Sequence, residues 1–242
     1  MRLPLLLVSV LATAAFAQPA PAPPEAPKVT LADLEKACAK GDLVSCTDLG
    51  FNLETPDPEK AVVVYRAACA KGALPACSNL ALMLRDARGA AKNLVEAEKV
   101  AKKACDGGNA PGCLHLALVK DAANDFTGAT AAYESACKLK VFPACTNHAI
   151  NVLKGIGAKR DEKRAMELLE KSCGESVKKG VLYPSLRACV VLGQIYEQGA
   201  LVAANKDAAK RLYKLACYGG LDEGCERLGA GPKNKNDDGH NH

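Results

Sequence analysis

Residues 67–81 read AACAKGALPACSNLA, and this pattern recurs along the chain. Cys69 is followed by a glycine three residues later, and Pro75 stands two residues before a second cysteine, Cys77. Glycine adopts the left-handed backbone that ends many helices, and proline is tolerated in the first turn of the next helix. The stretch therefore predicts two antiparallel helices joined by a tight turn, with one cysteine on each side of it.

All twelve cysteines follow this arrangement. They form six successive pairs: Cys38/Cys46, Cys69/Cys77, Cys105/Cys113, Cys137/Cys145, Cys173/Cys189 and Cys217/Cys225. Seven residues separate the members of five pairs, and fifteen separate Cys173 from Cys189. A short turn sets the two helix ends side by side, within the Cα separation of about 5.5 Å that a disulfide needs. We predict six disulfides rather than zinc sites, because zinc cysteines follow a tighter CxxC spacing. The longer loop should extend a helix end or bulge outward.

Alignment on the cysteines reveals a repeat with a period near 36 residues. Twelve residues before the first cysteine of five pairs stands an N-capping side chain: Asp57, Asn93, Asp125, Asp161 and Asn205. Three residues after the second cysteine stands Leu49, Leu80, Leu116, His148, Leu192 or Leu228. A hairpin of this kind buries its apolar face only by stacking on its neighbours. The sequence therefore predicts an all-α solenoid of stacked helix hairpins, each closed by a disulfide.

Two segments carry a family resemblance. ACSNLALML and ACTNHAINVLKGIGAKRDEKRAMELLEKSC resemble Sel-one-like repeats (SLR), relatives of the tetratricopeptide repeat. The cysteines seven residues apart are similar to those of the Helicobacter cysteine-rich proteins. The resemblance covers residues 30–229 and implies a right-handed superhelix whose first helices line the concave surface. It also implies a secreted or periplasmic binding protein, associated with penicillin binding, weak β-lactamase activity and cell-wall sugar fragments.

The ends of the chain carry export and linker signals. An apolar run follows Arg2, too short to span a bilayer, and it ends in Ala-Phe-Ala, a small-x-small cleavage pattern. Export to the periplasm or the medium agrees with a disulfide framework. The predicted parts are a signal peptide (1–17), a proline-rich linker (18–29), the repeat solenoid (30–229) and a disordered polar tail (230–242).

Composition and motifs argue against several functions. The net charge of +5 is dispersed, so a nucleic-acid partner is not expected. The letters SxxK occur at 135–138 and 176–179, but the SDN and KTG elements of serine β-lactamases are absent. Inside the repeats, histidine occurs only at His115 and His148, too few for a metallohydrolase. We expect a monomer without a membrane span, metal, cofactor or catalytic residue. Weak β-lactamase or penicillin-binding activity is the alternative function.

Two positions in the first helix of each repeat, two and six residues after the second cysteine, form columns on one face beside the leucine column. They turn apolar at Val191 and Ile195. Stacking makes such columns one strip, whose Asp, Asn and His groups can bond a peptide backbone or a sugar amide. The residues predicted to contact a protein, a peptide or a peptidoglycan fragment are Asp48, Asn52, Asn79, His115, Asn147 and Asn151. A solvated face, or asparagines that tie neighbouring helices together, is the alternative. His148 replaces a core leucine as either a hydrogen-bonded structural histidine or a ligand-facing group.

Overall fold

The computed structural model describes residues 29–176, 178, 180–181 and 184–229. Twelve helices occupy this part of the chain, and each packs mainly on its sequence neighbours, which confirms the predicted α/α solenoid. The predicted signal peptide, the linker up to residue 28 and the tail from residue 230 lie outside the described residues. The helices are α1 Leu31–Ala39, α2 Leu43–Leu53, α3 Pro58–Ala70, α4 Leu74–Arg85, α5 Leu94–Asp106, α6 Ala110–Ala122, α7 Phe126–Lys138, α8 Phe142–Lys154, α9 Glu162–Ser176, α10 Leu186–Gln198, α11 Lys206–Tyr218 and α12 Asp222–Glu226.

The helices alternate between two faces of the stack. We call the even-numbered helices, which begin near the second cysteine of each pair, the A helices, and the odd-numbered ones the B helices. Consecutive A helices contact one another at α2/α4, α4/α6 and α8/α10, most extensively at α4/α6, whereas no consecutive B helices in the described residues contact to this extent. Successive helices lie closest together on the inner side of a curved stack. The A helices therefore line the concave face.

Side-chain caps fix where the B helices begin. Asp57 accepts a hydrogen bond from the Lys60 N–H at 3.0 Å. The other four members of the capping column accept equivalent bonds at 2.9–3.0 Å: Asn93, Asp125, Asp161 and Asn205. Each cap satisfies an otherwise unpaired helix amide and stabilises the fold by about 1 kcal/mol. The predicted column is confirmed throughout.

The six predicted disulfides are confirmed, and no cysteine is free. Their Cα atoms lie 4.4–4.8 Å apart in the pairs Cys38–Cys46, Cys69–Cys77, Cys105–Cys113, Cys137–Cys145, Cys173–Cys189 and Cys217–Cys225. Each closes a short loop across the turn between a B helix and the next A helix, which contributes about 2–3 kcal/mol in the chain-entropy account. Six disulfides in one chain indicate an oxidising, exported environment. No helix in the described residues is long and apolar enough to cross a membrane.

The second cysteine of every pair is buried in the core. It stands three residues before the leucine column, and residues at this spacing share one face of a helix. No more than 4% of the side chain is exposed at any of these positions: Cys46, Cys77, Cys113, Cys145, Cys189 and Cys225. The first cysteines range from buried, as Cys69 is, to half-buried, as Cys38 is. The predicted cysteine residues are therefore structural, and the sulfurs of the buried ones are not available to a partner on the surface.

The loop between Cys173 and Cys189 departs from the regular pattern. Helix α9 continues to Ser176, three residues past Cys173, whereas the other B helices end one residue past their cysteine. The Ser176 hydroxyl accepts from the Ser185 N–H at 2.6 Å, and the Ser185 hydroxyl lies 2.9 Å from that of Thr146. The enlarged loop thus begins with a longer helix end, and buried hydroxyl contacts tie Ser185 to α8.

Three B helices carry a buried tyrosine that bonds a carboxylate on the preceding A helix. The Tyr65 hydroxyl, on a fully buried side chain, donates to Glu54 at 2.8 Å. Equivalent bonds join Tyr133 to Asp121 at 2.5 Å and Tyr213 to Glu197 at 2.9 Å. Burial, reinforced by the carboxylate, raises the pKa of Tyr213 to about 12. The phenols are therefore neutral donors at physiological pH.

The tyrosine and the acidic residue are either both present or both absent in these repeats. Where the B helix has Ala101 or Leu169 instead of tyrosine, the acidic position holds Arg85 or Leu153. The ring also needs space on the A helix. A Cβ atom on Gly50 would lie 2.4 Å from the Tyr65 ring. Gly193 meets the Tyr213 ring in the same way. The tyrosine, the acid and a small residue thus form one packing unit.

We predict that Tyr65→Phe lowers the free energy of unfolding by about 1–3 kcal/mol, because it removes the hydroxyl that donates to the half-buried Glu54 and accepts from Asn79. Glu54 also pairs with Arg88 at 3.0 Å, so the single variant Glu54→Ala removes two contacts. Urea unfolding of both single variants and of the double variant isolates the tyrosine–carboxylate bond. A coupling energy near zero would contradict this assignment.

Candidate binding face on the A helices

The six side chains of the predicted strip all lie on A helices, but they differ in exposure and in their hydrogen bonds to other helices. Asp48 and Asn52 are exposed on α2, and the Asn52 amide donates to the Asp48 carbonyl of its own helix at 2.8 Å. Asn147 is half-buried on α8 and interacts with the Tyr133 hydroxyl of α7. The remaining three are engaged in hydrogen bonds between helices. Only Asp48 and Asn52 are available without rearrangement.

Asn79 and His115 tie helices together. The Asn79 amide donates to the Tyr65 hydroxyl at 3.1 Å and so joins α4 to α3. The His115 Nδ1 atom lies 2.7 Å from the Ser78 hydroxyl and 2.9 Å from the Ser78 carbonyl oxygen, which joins α6 to α4. Burial lowers the pKa of His115, so its ring is neutral at pH 7. These contacts match the alternative in which the polar column stabilises the stack.

Asn151 is also engaged in a chain of hydrogen bonds. Its amide donates to the Thr130 hydroxyl at 2.9 Å, and that hydroxyl donates to the Ile156 carbonyl at 3.0 Å. The chain links α8, the buried Thr130 of α7 and the loop after α8. Contact of a partner with the whole strip stays a prediction, and the structure adds a structural role for most of its members.

The face opens where the same two columns become apolar. A cavity of ≈ 560 Å³ lies between α8 and α10. Val191 and Ile195 line it, in the columns that hold Asn147 and Asn151 on α8. The other lining residues are Ile150, Leu153, Lys154, Arg160, Arg187, Gln194, Gln198, Ala200 and Leu201.

The cavity combines apolar side chains with charged side chains that are all positive. Aliphatic side chains make up its floor, while Lys154, Arg160 and Arg187 bring positive charge and none of the described residues that line it is acidic. Arg160 is paired with Glu162, so Lys154 and Arg187 supply most of the uncompensated charge. Such a cavity suits a group that joins an apolar side chain to a carboxylate. In the sequence, the only indication of this cavity was that the predicted strip becomes apolar at Val191 and Ile195.

Stacked helix hairpins with this spacing define a helical-repeat protein. A family model of the Sel1 repeat matches residues 74–109, 143–175 and 186–221. Each matched segment begins in an A helix and ends at or after the last turn of the next B helix, so the disulfides join consecutive repeats. The chain is therefore a Sel1-repeat protein. A comparison with curated proteins found no match.

Solved structures share the fold at low sequence identity. A protective antigen of uropathogenic Escherichia coli with an SLR fold aligns with a TM-score of 0.66 at 20% identity, over 85% of this chain and 46% of the antigen. A Sel1 repeat protein from Oxalobacter formigenes aligns with a TM-score of 0.66 at 22% identity, over 77% of this chain and 75% of that protein. One from Klebsiella pneumoniae gives 0.52 at 23% identity, over 82% and 97%. This chain thus spans less than half of the E. coli antigen, and these likenesses establish the fold alone.

We predict that Asn79→Ala lowers the free energy of unfolding by about 1 kcal/mol, because it removes a bond between α4 and the buried Tyr65. Asn52→Ala is the matched control, since its exposed amide bonds only its own helix, and its effect should stay within about 0.5 kcal/mol. Urea unfolding of both variants measures the difference. Equal effects would mean that the Asn79 bond contributes nothing to the stack.

Proposed function

We propose that this protein is an exported monomeric scaffold that binds a protein or peptide along its A-helix face, with the cavity between α8 and α10 as the most specific contact. Sel1-repeat scaffolds commonly mediate protein interactions, and the concave face offers a long surface for an extended segment. The observation that carries the proposal is the cavity itself, with an apolar floor and cationic rim.

The rim and the floor together define the preferred segment. An aliphatic or aromatic side chain would lie against Val191 and Ile195, and an adjacent carboxylate would pair with Arg187 or Lys154. The carboxylate can come from Asp, Glu or a free C-terminus. A peptidoglycan stem peptide has the same combination of amides and carboxylates and is the second ligand class that this chemistry fits. Exposed Asp48 and Asn52 would contact the segment at the far end of the face.

We predict that selection of random displayed peptides on the immobilised protein enriches sequences with an acidic residue or C-terminus next to a large apolar residue. Synthetic copies of the selected peptides, measured by calorimetry, should lose at least about tenfold in affinity to Arg187→Glu, a loss of about 1.4 kcal/mol. Val191→Asp should have a similar effect, because it places a negative charge in the apolar floor, where it repels the carboxylate of the peptide.

Lys99→Glu is the control for net charge, since Lys99 is exposed on α5, away from the cavity. It should leave the affinity within about twofold, which is about 0.4 kcal/mol. Peptides that bind Arg187→Glu and the unchanged protein equally well would show that the cavity is not the site. Circular dichroism melts establish that each variant is folded.

Hydrolysis of a lactam is the enzymatic alternative implied by the family resemblance. Ser135 is exposed, its hydroxyl donates to the carbonyl of Ala131, and the adjacent Cys137 is held in a disulfide. Ser176 is buried and accepts from the Ser185 amide. Among the described residues, no basic side chain bonds either hydroxyl to activate it, as nucleophilic catalysis requires.

We predict that the purified protein turns over nitrocefin no faster than a sample of Ser135→Ala prepared in parallel. The expected rates for both are those of the buffer. Turnover that is lost in Ser135→Ala would establish the enzymatic alternative and displace the scaffold as the main function.

A further inference from the structure

His148 is an exception in the core of the solenoid. Its column holds leucine in the other full-length A helices: Leu49, Leu80, Leu116 and Leu192. His148 is only 4% exposed, yet neither ring nitrogen has a hydrogen-bond partner among the residues that the structure describes. Of the two roles predicted for His148, this geometry favours the ligand-facing group over the hydrogen-bonded structural histidine. Buried polar atoms without partners destabilise a fold, so packing alone does not account for a histidine at this position.

His148 lies at the base of a crevice between the B helices α7 and α9. Two cavities of ≈ 550 and ≈ 450 Å³ flank it. Both are lined by His148, Glu134 and Arg164, so these three residues stand where the cavities meet. Phe142 and Leu168 add apolar surface to the smaller one. Each cavity has the size of an ordinary small-molecule site.

An ion pair spans the crevice above the histidine. Glu134 on α7 and Arg164 on α9 lie 2.8 Å apart. The same two repeat positions pair elsewhere in the stack: Glu35 with Lys60 at 2.7 Å and Arg66 with Glu96 at 2.8 Å. In those two places the intervening A helix contributes Leu49 or Leu80 beneath the pair. Of these three equivalent ion pairs, only the pair between Glu134 and Arg164 lies over a polar residue, His148.

The charge around the crevice favours an anion. Its acidic groups already have partners: Glu134 pairs with Arg164 and lies 3.3 Å from Lys138, and Glu175 pairs with Lys178 at 2.5 Å. Asp161, which lines the larger cavity, caps α9 by accepting from the Arg164 N–H at 2.9 Å. Lys140 and Lys171, which line the smaller cavity, form no ion pair with the described residues. The remaining charge at the mouth is therefore positive.

The histidine itself is poised to bond a polar group. Burial lowers the pKa of His148, with Glu134 acting in the opposite direction and Arg164 and Lys138 reinforcing the effect of burial. The Thr130 carbonyl favours the charged form slightly but lies outside hydrogen-bonding geometry. A neutral imidazole has one donor and one acceptor nitrogen, so it can bond a hydroxyl or an amide.

We propose that the crevice between α7 and α9 is a binding site for a small organic anion. The anionic group, a carboxylate or a phosphate, pairs with Arg164 and the neighbouring lysines. The apolar body packs against Phe142 and Leu168, and a hydroxyl or amide on the ligand bonds the His148 ring. This site is on the B-helix side and does not depend on the proposed peptide contact of the A helices.

The test follows the ring resonances of His148 by NMR in the full chain, assigned by their loss in His148→Leu. The probes are 4-hydroxybenzoate, phenyl phosphate and the neutral match 4-hydroxybenzamide, each added to millimolar concentration. We expect saturable shifts of the His148 signals with at least one of the anions, none with the amide, and none at His115. If neither anion shifts the His148 signals, the proposal is overturned.

Variants separate binding from stability. Arg164→Gln should weaken the responding anion at least tenfold, whereas Arg66→Gln, which breaks the equivalent ion pair above Leu80, should change its affinity less than twofold. His148→Leu restores the leucine column, so it should melt at a higher temperature and bind the anion at least tenfold more weakly. A folded His148→Leu that binds as well as the unchanged protein, or equal losses in the two arginine variants, would mean that the histidine belongs to the core alone.

Discussion

A single helix hairpin in this chain cannot bury its own apolar face, and the rest of the structure depends on that constraint. Each hairpin gains a core only from the hairpins on either side, so the fold is a one-dimensional stack. Alanine columns such as Ala61 and Ala97, both fully buried, let the helices approach closely. The disulfides then join each repeat to the next, which limits the freedom of the unfolded chain at every junction.

The stack is held by two kinds of contact that repeat with it. On the inner side, tyrosines such as Tyr65 donate to carboxylates of the preceding A helix. On the outer side, where the B helices stand apart, long charged side chains bridge the gap, as Arg66 and Glu96 do. Such exposed pairs contribute little stability individually, so they act mainly to fix the register of neighbouring repeats.

Both candidate sites lie where this regularity is broken. The A-helix cavity lies where the polar columns of the strip become apolar, at Val191 and Ile195. The B-helix crevice forms over the A helix that carries His148 in place of leucine. The buried core is also divided here, since one apolar cluster ends at Ala144 and the next begins at Ala149. Repeats supply stability through their common columns, and the departures from those columns supply distinct chemistry.

The sequence by itself determined the helix hairpins, the caps and the six disulfides, because these depend on residues within a few positions of one another. Asp57 caps its own helix, and Cys69 reaches Cys77 across a short turn, whatever the rest of the chain does. The tyrosine and the acidic residue, such as Tyr65 and Glu54, occur together at fixed repeat positions, but only the structure showed that they are hydrogen-bonded. Only the tertiary structure decided which polar side chains are free. His115 meets Ser78, and Glu134 meets Arg164, through the stacking distance between repeats. That distance is set by the packing of several helices together, and no local pattern encodes it.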